Sequence, residues 1–278
     1  MIWCIVPVVA GLDMTEAAIA DLLAQSVQTR ILIVNQAVDD GFREHLEKLS
    51  EEYPDRVFVW SHEPTLPSLA ATWNCALKFV WGTGGDVAFV VNNDVRLRPD
   101  TVEWLQKILT LTNALFVSAV GVTKEQFDPS EGLIFPDDPD ADQPKLSKGG
   151  PDFSCFLISK ECHMRFRFDE NFIPAFCEDL DYHRRLMLAG EGKRIFSVNL
   201  PYLHLASQTL KQVDPLQRER IEASINANSR RYYKRKWGGP VNQETFFSPF
   251  DEGVQISTAG MPNPPTTPDL QKWSREGV

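Results

Sequence analysis

Between residues 2 and 120 the chain alternates short, wholly apolar runs with stretches whose apolar residues recur at helical spacing. That alternation restricts it to an α/β fold with a mostly parallel central sheet flanked by helices. A run with no polar alternation is buried on both faces, which a parallel strand under two helical layers requires. Such runs lie at 2–9, 31–35, 57–60, 87–91 and 115–120. Between them the spacing predicts helices over 13–26, 42–52, from Pro67 (carrying Leu69, Trp73 and Leu77) and over 99–111. Asp13, with Glu16 three residues on, reads as a capping box. From 124 to 150 the pattern dissolves into Asp, Pro and Gly ("FPDDPDADQPKLSKGG"), a loop length that usually carries function. Regular signals resume with a strand at 153–159, a helix at 178–189 closed by Gly190, short strands near 194–198 and 202–205, and a polar helix over 215–236. Beyond Gly239 the chain is rich in Pro, Gly, Ser and Thr without periodicity, an extended tail. The expected division is a catalytic domain at 1–239 and a C-terminal extension at 240–278.

With 278 residues, 43% hydrophobic and 24% charged, and no apolar run near the ~20 residues that span a bilayer, the chain is not read as an integral membrane protein. Its apolar start lacks a basic region and a small-residue cleavage site, so it reads as a first core strand, with a cytoplasmic location as the default. Five cysteines, an odd number without C-x-x-C pairing, read as reduced core residues. A zinc site from Cys155, Cys162, His163 and Cys177 matches no usual spacing. The net charge of −10 argues against nucleic acid as a partner, with one local exception in Arg230-Arg231-Tyr232-Tyr233-Lys234-Arg235-Lys236.

The chemistry gathers where the apolar runs stop. Ligands of open α/β sheets collect beyond the carboxyl ends of the strands. Asn35 ends one run and Asn92-Asn93-Asp94 ends another. Two asparagines make an ordinary turn, but a carboxylate at a buried strand end needs a counter-charge, which a divalent metal supplies. A second acidic group, Glu178-Asp179, opens a predicted helix, where the dipole favours ionised carboxylates. Ordinary capping, with Asp181 and Arg185 as an i,i+4 pair, explains it equally well. The apolar residues Phe172, Ile173, Pro174 and Phe176 just ahead of it also suit a general base beside a carbohydrate hydroxyl.

In this order the segments resemble the inverting nucleotide-sugar glycosyltransferases of family 2, which have the Rossmann-like GT-A fold. The first strand ending at Pro7 and "ILIVNQAVDD" with Asn35 resemble the nucleotide-contacting strands. "SLAATWNCAL", with Ser68 and Asn74, resembles the helix under the donor. "NND" resembles the metal-binding triplet, "FDENFIPAFCEDLDYHRRLMLAGEG" the catalytic and acceptor segment, "YLHLASQT" the late strand with a metal-binding histidine, and "NANSRRYYKRKWGG" the closing helix.

The resemblance implies that Asp94 and His204 hold Mn2+ (or Mg2+), that Pro7, Asn35, Ser68, Asn74, Asn92, Asn93 and Asp94 line the donor site, that Asp179 is the catalytic base and that Glu178 orients the acceptor. It implies a UDP- or dTDP-sugar donor and a hydroxyl acceptor in a glycan, a protein or a small molecule. The acidic loop 124–150 is then expected to act as a lid or an acceptor-facing segment. The aromatic residues of the tail leave a homo-oligomer open. Two other readings stand beside it: a catalytically silent binding or assembly protein on the same fold, and a sugar-phosphate nucleotidyltransferase, whose N-terminal Gly-rich loop "PVVAGLDMT" lacks.

Overall fold

The computed structural model describes residues 2–36, 40–61, 64–122, 150–205 and 215–252; the lid segment, apart from Gly150, and the tail beyond 252 lie outside these residues. The first half follows the predicted alternation: β1 (Ile2–Val8), α1 (Leu12–Leu23), β2 (Thr29–Asn35), α2 (Asp40–Glu52), β3 (Val57–Ser61), α3 (Leu69–Gly82), β4 (Val87–Val91), the short β5 (Val95–Arg96), α4 (Thr101–Thr112) and β6 (Phe116–Val122). Then come β7 (Cys155–Ser159), α5 (Lys160–Arg165), α6 (Glu178–Leu188), β8 (Ile195–His204), α7 (Pro215–Ser224), a π-helical turn (Ile225–Arg230) and α8 (Arg231–Trp237).

The eight strands form one sheet in the order β3-β2-β1-β4-β7-β6-β8-β5. Six share one direction, and β7 and β5 run against it, so the sheet is mixed. Along β1 the side chains alternate between two cores. Cys4, Val6 and Val8 face the layer that includes Ile19, Leu22, Leu105 and Leu109. Trp3 and Ile5 face the layer built around α3, with Trp73, Leu77 and Val80. Burial on both faces is why the run carries no polar residue. The helix α3 has eleven of its fourteen residues buried, which makes it a central support rather than a surface helix.

Three local expectations are corrected. Helix α1 starts after Gly11, whose φ of 88° a glycine adopts without penalty, and Asp13 lies inside its first turn without a side-chain cap. Glu16 is drawn instead to His45 on α2. The two short strands near 194–198 and 202–205 are one strand, β8, with an irregularity opposite Ser118 and Val120 that lets it pass Pro201. The polar helix over 215–236 is interrupted at Ile225–Arg230 by the wider π turn.

Residues 240–252 return onto the domain. Thr245 and Phe246 donate their amides to the Trp237 carbonyl, and the Arg184 guanidinium donates to the Phe246 carbonyl. Gly238, at φ 73°, makes this return possible, because a Cβ there would meet Thr245 and Phe246 side-chain atoms at 2.4 and 2.7 Å. Among the described residues no helix is long and apolar enough to cross a membrane.

Candidate active site

Parallel register brings the strand ends to one edge: Val8 lies beside Asn35, and Asn35 beside Ser61. Because Ile5 pairs with Val90, the Asn92-Asn93-Asp94 turn leaves the sheet at the same edge. Three of these groups brace that edge. Asn35 donates to Ser61 Oγ at 3.2 Å. Asn93 donates to the Ala10 carbonyl (2.8 Å) and Thr15 Oγ1 (2.9 Å), fixing the β1–α1 connection to the end of β4. The Asn92 backbone amide donates to the Ser154 carbonyl at 3.0 Å, tying the turn to the segment before β7.

Asp94 is 5% exposed and is carried to His204 by β5, in which Val95 pairs with His204 and the Leu205 amide donates to the Asp94 carbonyl. His204 Nε2 lies 3.4 Å from Asp94 Oδ1. The bond to Asp94 raises the imidazole pKa despite partial burial. A buried carboxylate facing an imidazole at the lip of the sheet is a donor pair that fits Mn2+ or Mg2+, the remaining positions falling to phosphate oxygens and water. Among the described residues no group of three or more His, Cys, Asp or Glu forms a ready metal cage.

Two of the residues that the resemblance places near the donor are committed to the fold. Ser68 caps α3, its Oγ accepting from the Ala71 amide (3.1 Å) and donating to the Glu170 carbonyl (3.3 Å), a cap worth roughly 1 kcal/mol. Asn74 donates to the Phe168 carbonyl and Glu170 Oε1 (2.8 Å each), while its oxygen meets His163 Nε2 and the Phe168 amide. With every polar atom of its side chain engaged, Asn74 braces the segment that leads to α6 and has nothing left for a nucleotide.

Glu178 and Asp179 open α6, as predicted, but burial outweighs the helix dipole there. It is the largest influence raising the Asp179 carboxyl, and it pushes Glu178, 4% exposed, from the ordinary 4.5 up to about 8, with the Asp179 charge adding to it. Burial thus shifts Glu178 toward its protonated form, and Oε2 has no partner among the described residues. Asp179 Oδ1 accepts from the Leu180 amide at 2.8 Å. Of the apolar residues ahead of the pair, Phe172 is core, whereas Ile173 (40% exposed) and Phe176 (44%) stand open, joined by Leu180 (39%) on the far side of Asp179. Phe176 and Cys177 both have left-handed backbone, φ 76° and 72°. For non-glycine residues this costs of order 1–3 kcal/mol each and needs support from around them.

The state of Glu178 has a measurable consequence. A carboxyl whose folded pKa lies above its unfolded value stabilises fully below the unfolded value and loses that contribution as pH rises through the folded one. Glu178→Gln should therefore raise the melting temperature relative to the native chain at about pH 8.5 and change it little at about pH 5. Equal shifts at both pH values would show that Glu178 is ionised throughout.

One carboxylate at the site was missed by sequence reasoning. Asp152 accepts from Tyr202 Oη (2.5 Å) and from the Ser154 amide (2.9 Å), and its charge acts on both His204 and Asp179. Its sequence context, at the end of a Gly/Pro-rich stretch, carries no signal that would have singled it out. The basic cluster also needs revision. Lys236 is wholly buried between Asp169 (2.6 Å) and Asp181 (2.7 Å), so it is not available to a diphosphate, while Arg230, Arg231, Lys234 and Arg235 are exposed. All five cysteines are buried and unpaired, and His163 is taken by Trp81 and Asn74.

A mixed sheet with a parallel β3-β2-β1-β4 half and a carboxylate–imidazole pair at its edge is the arrangement of the GT-A class of fold. The family model described as Glycosyl transferase family 2 matches residues 3–164, and the chain belongs to that family. Among solved structures it is similar to TarS 1–349 of S. aureus (TM-score 0.53, 13% identity, 84% of this chain and 72% of that one). It is similar also to the mannosyltransferase PcManGT of Pyrobaculum calidifontis in complex with GDP-Man and Mn2+ (0.57, 15%, 81% and 68%). A third is glucosyl-3-phosphoglycerate synthase of Mycobacterium tuberculosis with Mn2+, UDP and glucosyl-3-phosphoglycerate (0.52, 16%, 82% and 77%). At these identities the likeness establishes the fold. Among curated proteins none matches at the sequence level.

Proposed function

We propose that this chain is a metal-dependent, inverting glycosyltransferase that moves a sugar from a UDP- or dTDP-sugar to a hydroxyl acceptor. The observation that carries the reading is the facing of Asp94 and His204 at 3.4 Å on the sheet edge, with Asp152 linking that pair electrostatically to Asp179. The Mn2+ held with nucleotides by two of the structural neighbours supports it.

Asp94 and His204 would hold the ion, which when bound would supply Lewis-acid neutralisation of the departing diphosphate. Asp179, its basicity raised by burial, accepts the proton of the acceptor hydroxyl as that oxygen bonds to the anomeric carbon. The bond from that carbon to the phosphate oxygen breaks on the opposite face, so a single displacement inverts the centre. Glu178, next to Asp179 at the start of α6, orients the acceptor. Ile173, Phe176 and Leu180, exposed near the base in sequence, offer an apolar surface to the acceptor.

Asp94→Ala and His204→Ala are each expected to weaken Mn2+-dependent binding of UDP or dTDP about tenfold or more, the scale of losing one charged ligand contact. Calorimetry with and without Mn2+ measures it, with melting temperature as the control for folding. Unchanged Mn2+-dependent affinity in both variants removes the metal assignment. Release of nucleoside diphosphate from a panel of nucleotide sugars tests the activity itself. Binding without release across the panel would mark a binding protein instead.

A further inference from the structure

The residues from Asp169 to Asp181, which contain the proposed base, are held at several points by the C-terminal helical stretch that starts with the π turn. At the start, Asp169 Oδ2 takes bonds from Lys236 Nζ (2.6 Å) and Tyr232 Oη (2.9 Å). At the end, Asp181 Oδ1 takes Lys236 Nζ (2.7 Å) and Trp237 Nε1 (2.9 Å). In the middle, three successive carbonyls are pinned: Ala175 and Ile173 by Ser229 Oγ (2.7 and 3.1 Å), and Pro174 by the Leu69 amide at the start of α3 (2.9 Å). Directly after them come the two left-handed residues Phe176 and Cys177, then Glu178 and Asp179.

Ser229 owes its place to the π turn. Six residues, Ile225–Arg230, wind with the wider i→i+5 pitch, and Ser229 is fully buried within them, against the loop. A hydroxyl has one proton, so it is shared between the two carbonyls, with the shorter contact to Ala175 dominant. Without it, the Ile173 and Ala175 carbonyls, next to a strained backbone, would lose their common donor. The strained pair would then be free to relax toward ordinary backbone geometry, which redirects everything that follows, Asp179 first.

We infer that Ser229, carried by the π turn, is a positioning residue that fixes the Ile173–Cys177 backbone and thereby aims the Asp179 carboxylate. The inference rests on the proposed role of Asp179, and it adds to the enzyme a segment lying beyond the residues, 3–164, that the family model matches.

Ser229→Ala tests it in the full-length chain with Mn2+ and the nucleotide sugar that gives turnover. The expected result is a fall in kcat of about 10- to 100-fold, as for a small misplacement of a catalytic group, with the donor KM within about twofold of native. Amide hydrogen exchange should quicken over 170–181 and remain unchanged in the central strands. In an Asp179→Asn background the same substitution should lower kcat no further, since it acts through that carboxylate. An equal additional loss in that background, or native kcat with native exchange, overturns the proposal. Should no nucleotide sugar be turned over even by the native chain, the enzymatic reading fails separately, and hydrogen exchange decides the positioning: quickening confined to 170–181 upholds it, unchanged or global exchange overturns it. If Ser229→Ala does not fold, Ser229→Cys, near in shape but a weak donor, carries the same comparison.

Discussion

Asp179→Asn is expected to keep the fold and Mn2+-dependent nucleotide binding while lowering turnover about 10²- to 10⁴-fold, the usual range for loss of a general base. The amide matches the carboxylate in shape, and its oxygen still accepts the Leu180 amide bond, so the start of α6 is preserved. What it loses is the ability to take the proton of the acceptor hydroxyl. Burial raises the native carboxyl, so the acid limb of the turnover–pH profile should lie above the usual range of an aspartate and vanish in the variant. Glu178→Gln is the comparison. It keeps the shape but replaces the carboxyl that orients the acceptor, and should raise the acceptor KM more than it lowers kcat. Near-native turnover by Asp179→Asn with loss in Glu178→Gln would exchange the two roles, and native turnover by both would remove the base mechanism.

The second large effect is on stability. Lys236→Met should cost about 3–5 kcal/mol of unfolding free energy, because it leaves Asp169 and Asp181 buried with less counter-charge. The methionine fills much of the lysine stem's volume, so the loss reports charge rather than a cavity. Burial alone would raise Asp181, but Lys236 and Arg185 together hold it below its ordinary value. In the native chain that contribution is present above the unfolded pKa and fades as pH falls through the folded one. In Lys236→Met the carboxyl rises instead, so the deficit against the native chain should narrow as pH is lowered toward about 4. Urea unfolding at two pH values measures both. A cost under about 1 kcal/mol would show that Arg185, 2.8 Å from Asp181, satisfies the site alone.

Much of the fold was legible because its signals are local. Apolar runs without alternation marked doubly covered strands, and β1, β2, β4 and β6 stand close to where those runs lie. The ends of those runs then located Asn35 and Asp94 on one edge, since parallel strands share a carboxyl end. Helix starts were less legible. Asp13 and Glu16 make a capping box in sequence, yet Gly11 begins α1 and Glu16 is drawn to His45, because contact with a neighbouring helix won over a local bond.

The sequence alone determined the α/β class, the shared edge at which Asn35 and Asp94 end their strands, and the acidic start of α6. Each follows from spacing within a few residues or from strand direction, whereas the pairing of Asp94 with His204 came only from the family resemblance. Only the tertiary structure decided the burial of Glu178, which raises its carboxyl, and that of Lys236, Asp169, Asp181 and Ser229. It also decided that Asn74 is a brace and that Asp152 is held by Tyr202 and the Ser154 amide. The reason is that desolvation and ion pairing depend on which distant segments close over a group. Lys236 reads as one more surface charge in a basic run until Asp169 and Asp181, 67 and 55 positions away in the chain, fold around it.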